Sequence, residues 1–386
     1  MSTDTHFPRH PSISTRFLRI LEKSKPYAIY LPALIIFAVS RAVVVAGINF
    51  GALLAPSPDS IKWGLGHSWF DRLLRYDAGY YISIAQDGYR HSTDPAVLNS
   101  TAFYPLYPLL GRFVHWSTGA DTGVALLIVS NISAVAACLL LTKFVRDEAG
   151  DEIALWTTAF FWFFPSTFFL SAGYTESLCL TLILLSFVVL KQEKFILASL
   201  FAGLAVATRS TGIVMLPVIL WELYQRPTSP WPQTFLKMFL CSLLAVSGLI
   251  AFMIFLGIEF GDPLAFAHSQ SAWHQGTFTS RFVDAVMLVP LRHGGWLLPF
   301  LALTAWSFWH LRFAVSLYAL ATLMLPYLTL GVTHSMSRFV LMCFPAFMCL
   351  ALLCKTRPLL ASLILAAFGA ILFRQSALFS QLYFVG

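Results

Sequence analysis

What this chain can fold into is set first by its apolar runs. Stretches long enough to cross, or nearly cross, about 30 Å of hydrocarbon occupy residues 27–48, 122–142, 153–170, 174–190, 195–208, 211–224, 235–257, 296–311, 313–331, 338–354 and 358–377. Charged residues make up 11% of the 386, against about 25% in soluble domains. Peptide groups inside hydrocarbon must bond within their own segment, so such runs are helices. The expectation is an all-α polytopic membrane protein with about eleven transmembrane helices. It forms a single domain over 27–386, behind a polar, basic tail at 1–26 read as cytoplasmic.

Orientation follows from the basic loops. With the N-terminus in the cytoplasm, inside loops hold Lys143 and Arg146, Lys191 and Lys194, Arg226 and Lys237, Arg312, and Lys355 and Arg357, as the positive-inside rule requires. Loops facing an anionic leaflet account for the net charge of +7, so it is no nucleic-acid signal. The outside receives two long loops, about 49–121 and 258–295, and short tips at 171–175, 209–211 and 333–337. Arg72, Arg75, Arg90, Arg112, Arg209, Arg281, Arg292 and Arg338 also face outward. Topology does not call for them there; an anionic substrate would. The six cysteines sit in or beside apolar runs without paired spacing, so neither disulfides nor a zinc site is indicated. Nucleotide-binding glycine patterns are missing. Asn99-Ser100-Thr101 and Asn131-Ile132-Ser133 match a glycosylation acceptor by chance.

The first outer loop is too long for a bare connection. The spacing predicts an interfacial helix over 69–87, ended by Gly88, with Trp69, Phe70, Leu73, Leu74, Tyr76, Tyr80, Tyr81, Ile84 and Ala85 on one half. Asp77 falls within that apolar half, where a carboxylate is costly unless paired or used. The plain alternative is a surface helix with Asp77 paired to a neighbouring arginine. Phe103-Tyr104-Pro105-Leu106-Tyr107-Pro108 follows as an aromatic, proline-stiffened segment at membrane depth.

Ionisable residues gather at the outer ends of the runs in four places. These are Asp77 with Arg72, Arg75 and Asp87; Tyr174-Thr175-Glu176-Ser177; Arg209-Ser210; and His334-Ser335-Met336-Ser337-Arg338. Four clusters on one side suggest one outward-facing cavity. A lone carboxylate, arginines for a phosphate and no nucleotide fold suggest group transfer from a lipid-linked phosphate. The carboxylate would take the proton of an attacking hydroxyl, and the arginines would offset charge on the leaving phosphate. Asp77 and Asp87 are off-face from each other, so no metal site and no cofactor are expected.

These residues also resemble a known family. Tyr76-Asp77-Ala78-Gly79-Tyr80-Tyr81, with Ile84-Ala85 and Gly88-Tyr89, is similar to a Trp-Asp-Gly…Ile-Ala-x-x-Gly-Tyr segment of the membrane mannosyltransferases that add the second mannose in GPI-anchor assembly, the PIG-V-like family, and of their bacterial relatives. Ala102 to Pro108, Phe164-Pro165-Ser166 to Leu178, Arg209-Ser210-Thr211-Gly212 and Ser337-Arg338-Phe339 resemble further blocks in the same order. Tyr76 stands where the family has Trp, Ala78 where it has Gly, and Thr211 where it has Asn. The resemblance implies a C-type glycosyltransferase with a polyprenyl-phosphate sugar donor, typically mannose, and Asp77 as base. Arg75, Tyr104, Glu176, Arg209, His334 and Arg338 are the candidate substrate-binding residues. A lipid or glycan hydroxyl is the expected acceptor. The expected membrane is a bacterial plasma membrane, or the endoplasmic reticulum if the chain is eukaryotic. The alternative function is a multi-pass transporter or lipid flippase with the same polar groups as its binding site.

Overall fold

The structure is a computed structural model and describes residues 28–54, 68–92, 98–227, 230–271, 295–330, 335–383 and 385. The expected tail at 1–26, His334, and Arg281 and Arg292 of the second long loop lie outside the described residues.

Among the described residues the chain is helical, without strands. The apolar runs and the helices coincide closely. The helices are α1 (Tyr30–Gly51), α2 (Ala78–Asp87), α3 (Leu106–Thr118), α4 (Thr122–Ala149), α5 (Asp151–Phe163), α6 (Glu176–Leu190), α7 (Phe195–Thr208), α8 (Met215–Gln225) and α9 (Trp231–Phe260). They continue with α10 (Ala265–Ser271), α11 (Leu297–His310), α12 (Phe313–Leu330), α13 (Met336–Leu341), α14 (Phe344–Cys354) and α15 (Pro358–Ser380). Of these, α1, α4, α9 and α15 are long and apolar enough to cross a membrane by themselves. Helices α6 and α14, and the apolar stretches Phe195–Val206 of α7 and Phe313–Pro326 of α12, are shorter.

Several runs that read as single spans are broken, and the breaks have local causes. The run 153–170 ends as a helix at Phe163, because Pro165 follows and cannot continue the backbone bonding. A 3-10 turn at Thr167–Leu170 comes next, then bends, before Glu176 opens α6. Residues 211–224 begin as a 3-10 segment, Ser210–Val214. The run 338–354 divides into α13 and α14 ahead of Pro345. Non-helical backbone at membrane depth survives where protein covers it, and here Phe164, Ser166, Thr167, Phe168, Leu170 and Tyr174 are all buried.

Packing relies on small residues where helix axes approach. On α1, Gly47 faces Ser376 and Gly51 faces Ser380 and Ala377 of α15; a Cβ on either glycine would lie within 3 Å of those atoms. At the end assigned to the cytoplasm, an ion-pair lattice ties four elements together. Arg312 bridges Glu148 of α4 and Glu222 of α8, at 2.9 Å each. Lys191, after the end of α6, reaches Glu148 at 3.1 Å. Glu176 opens the same helix α6, so the groups expected to do chemistry sit at the opposite end of the bundle.

The segment between α1 and α3 differs from the expected helix over 69–87. It forms a 3-10 turn at Asp71–Leu73, then a tight bend through Tyr76, and only then α2. Tyr76 has φ of 53° in the left-handed region, which interrupts any helix running through it. Gly88, at φ 91°, does end α2 as expected. A second helix, α3, carries Leu109, Phe113 and Trp116 exposed on one face while Tyr107, Pro108 and Gly111 are buried on the other. The aromatic segment expected over Phe103 to Pro108 thus runs on into a helix, α3, that is not among the sequence-based expectations.

Candidate active site

The bend at Tyr76 places Asp77 at the start of α2 and not in the middle of a helix face. Asp77 is the N-cap residue, yet its side chain makes no cap hydrogen bond. An N-terminal aspartate ordinarily accepts from the second or third helical amide. Here the carboxylate turns to Arg338 instead, whose Nη1 donates to Asp77 Oδ2 at 2.9 Å. The turn itself is seated on the strap between α5 and α6. Gly173 N–H donates to the Leu73 carbonyl at 3.1 Å, and Tyr174 Oη donates to the Arg75 carbonyl at 3.0 Å. A Cβ on Gly173 would meet Leu74 Cδ2 at 2.6 Å and Ala78 Cβ at 3.2 Å, so a larger residue here would have to displace the Leu74 side chain.

Arg338, on α13, serves two acids at once. Its Nη1 takes Asp77, while Nε and Nη2 donate to Glu176 Oε1 at 2.9 and 2.8 Å. The guanidinium lies over the Tyr174 ring at 4.6 Å and near the Phe169 ring at 4.9 Å, which adds a cation–π attraction. Arg209, between α7 and the 3-10 segment, donates from Nη1 to the same Glu176 oxygen at 2.5 Å. The extended backbone of Arg209 ends α7 and turns the side chain back towards the start of α6.

Three sequence clusters therefore converge on the fourth, and their charges match: two carboxylates, two guanidiniums. A buried carboxylate is tolerable when paired and hydrogen-bonded. Glu176 is fully buried, whereas Asp77 keeps 25% of its side-chain surface open. Asp77 Oδ1 makes no hydrogen bond among the described residues, and neither does Glu176 Oε2, Ser177 Oγ, Thr211 Oγ1 or Ser337 Oγ, all four of them buried. The outward arginines, expected to be spare for a phosphate, are in part occupied by the chain's own acids.

The remaining candidates sit differently. Arg75 is buried, and its Nη2 donates at 3.3 Å to the Ser380 carbonyl at the end of α15. Tyr104 packs on Phe252 and Phe266, with ring centroids 5.3 and 5.9 Å away. Burial pushes that phenol above its ordinary range, so it stays neutral. Arg112 caps α2, donating to the Ile84 and Ala85 carbonyls at 2.9 and 2.6 Å, and Arg90 pairs with Asp87 at 3.0 Å. Asn99 is buried and bonded in both directions to the Ser92 backbone, consistent with a chance glycosylation match. Among the described residues no group of three or more His, Cys, Asp or Glu is placed to hold a metal ion. Arg41 of α1 carries no expectation from the sequence, although a lone ionisable residue inside an apolar run is itself a signal.

The family described as Mannosyltransferase (PIG-V) matches residues 42–272 of this chain. GPI mannosyltransferase 2 of Drosophila melanogaster is 28% identical over 163 residues, 36% of this chain and 35% of that protein. The match thus spans about a third of that relative's length. In three dimensions the chain is similar to ArnT from Cupriavidus metallidurans bound to undecaprenyl phosphate, with TM-score 0.50 and 13% identity over 84% of this chain and 60% of that one. It is also similar to the archaeal oligosaccharyltransferase AglB from Archaeoglobus fulgidus in complex with an inhibitory peptide and a dolichol-phosphate, with TM-score 0.47 and 12% identity over 90% and 55% of the two chains. At such identities the ArnT likeness speaks for the fold alone, that of the C-type glycosyltransferases.

Proposed function

The chain belongs to the PIG-V mannosyltransferase family, and from that premise we propose that it transfers mannose from a polyprenyl-phosphate donor to a lipid or glycan hydroxyl at the outer face, with inversion. Asp77 acts as the general base. One observation carries the reading: the carboxylate at the start of α2 is oriented by Arg338 through one oxygen, while its other oxygen has no hydrogen bond among the described residues.

The acceptor oxygen attacks the anomeric carbon as the carbon–oxygen bond to phosphate breaks. The hydroxyl proton passes to Asp77 Oδ1, and the bonding pair leaves with the polyprenyl phosphate. The roles of the two arginines divide. Arg338 uses three N–H groups on Asp77 and Glu176, so it orients. Arg209 bonds Glu176 through Nη1; its Nε and Nη2 make no hydrogen bond among the described residues and are suited to serve the departing phosphate. Glu176 Oε2, buried and without a partner among the described residues, is suited to accept from a sugar hydroxyl. Family membership and the gathering of ionisable groups at one end favour group transfer over the transporter or flippase alternative.

The test is transfer from polyprenyl-phosphate mannose in proteoliposomes. Asp77→Asn should keep the thermal unfolding profile and lose about 10²- to 10⁴-fold in rate. Product NMR should show the anomeric configuration inverted. Transfer at the unaltered rate by Asp77→Asn ends the assignment of the base.

A further inference from the structure

Arg41 lies within α1, an apolar helix, and has no carboxylate partner among the described residues. Its guanidinium is instead set among backbone and hydroxyl oxygens. Nη1 donates to the Thr167 carbonyl at 2.7 Å and to Ser171 Oγ at 3.0 Å. Nη2 donates to Thr167 Oγ1 at 3.0 Å and to the Trp162 carbonyl at 3.3 Å. The rings of Trp162 and Phe37 flank it at 5.1 and 5.7 Å. Trp162 belongs to the last turn of α5, whose final carbonyls have no helical partner and carry the negative end of the helix dipole. Arg41 thus supplies the donors that the break after Phe163 removes, and the helix end offsets its charge.

The segment it holds leads directly to the acid–arginine cluster. Phe169 and Tyr174, within the strap 164–175, form the aromatic floor beneath Arg338. Tyr174 also bonds the Arg75 carbonyl, two residues before Asp77. We propose that Arg41 is a positioning residue for the cluster: it fixes the strap from the α1 side, and the strap fixes both Arg338 and the turn carrying Asp77. The catalytic consequence rests on the group-transfer reading above; the structural coupling stands apart from it.

The experiment uses the full chain in lipid nanodiscs, with Arg41→Met, Arg41→Lys and Asp77→Asn side by side. Hydrogen exchange read by mass spectrometry, and turnover per folded molecule with polyprenyl-phosphate mannose, are both measured. In Arg41→Met, exchange should rise together in the strap and in α13. The turnover number should fall by about tenfold to a hundredfold with the donor KM little changed, the effect of a displacement of about 1 Å at reacting groups. Arg41→Lys keeps a charge and three donors and should recover most of that loss. Exchange that rises in the strap while α13 stays protected overturns the proposal. So does unchanged turnover per folded Arg41→Met molecule while Asp77→Asn is inactive. Should Asp77→Asn itself transfer normally, the group-transfer reading falls, and the exchange pattern alone decides whether Arg41 holds the cluster.

Discussion

Arg338 Nη1 sits 2.9 Å from Asp77 Oδ2, across 261 positions of sequence. The plain alternative pairs Asp77 with a neighbouring arginine; Arg75, two residues away, reaches the end of α15 instead. The orientation of the carboxylate therefore depends on α13, near the far end of the chain.

The fork geometry of that arginine should matter more than its charge. Lysine offers a single point charge and cannot serve both acids in one plane. Arg338→Lys should fold and lose most of the transfer rate. Arg338→Ala leaves buried Glu176 with Arg209 alone and should destabilise by up to about 3–5 kcal/mol. A double-mutant cycle of Arg338→Ala with Glu176→Gln, read by thermal unfolding, should return a coupling of about 0.5–3 kcal/mol. Simple additivity in that cycle would argue that the pair is incidental.

The bend before α2 makes its own demand. Tyr76 holds a left-handed backbone, which asparagine adopts more easily than most residues and β-branched residues resist. Tyr76→Asn should keep the fold, and Tyr76→Ile should cost about 1–2 kcal/mol. Next to it, Gly173→Ala should push Leu74 aside and cost about 1–3 kcal/mol. Both losses are measurable by thermal unfolding, and a Gly173→Ala protein as stable as the parent would contradict the close approach of Leu74 and Ala78 to Gly173.

Helix α3 should rest at the lipid headgroup level. Leu109, Phe113 and Trp116 are 52%, 60% and 79% exposed and share a face, too much apolar surface to leave in water. Fluorescence from Trp116, compared against Trp116→Phe, should be quenched by lipids brominated near the headgroup end of their chains. No difference in quenching between the two proteins would place that face elsewhere.

The helices were legible because hydrocarbon length and backbone bonding leave few choices for an apolar run. The breaks were less so. Pro165 and Pro345 were visible, but whether a short run is one helix or a helix and a turn depends on partners such as Arg41 that come from distant sequence. Glu176, Arg209 and Arg338 stood out as ionisable groups at run ends, and the structure joins them to Asp77. What no periodicity reveals is pairing: which acid takes which base is decided by how α6, α7 and α13 abut. The helix expected over 69–87 failed at Tyr76, where the strap's hold on the Leu73 and Arg75 carbonyls outweighs local helical spacing. Helix α3 escaped notice because its prolines, at 105 and 108, sit at its N-cap and in its first turn, where they are tolerated.

Arg312, Glu148, Lys191 and Glu222 form a single ion-pair lattice. It fastens the helices at the end remote from Asp77, where uninterrupted coils meet, while the opposite end is made of turns and straps. The molecule is thus fastened by ion pairs at one end and closed by short turns at the other. Under the proposed function, a prenyl chain entering from the side would pass among those turns, beside the residues proposed to meet its phosphate.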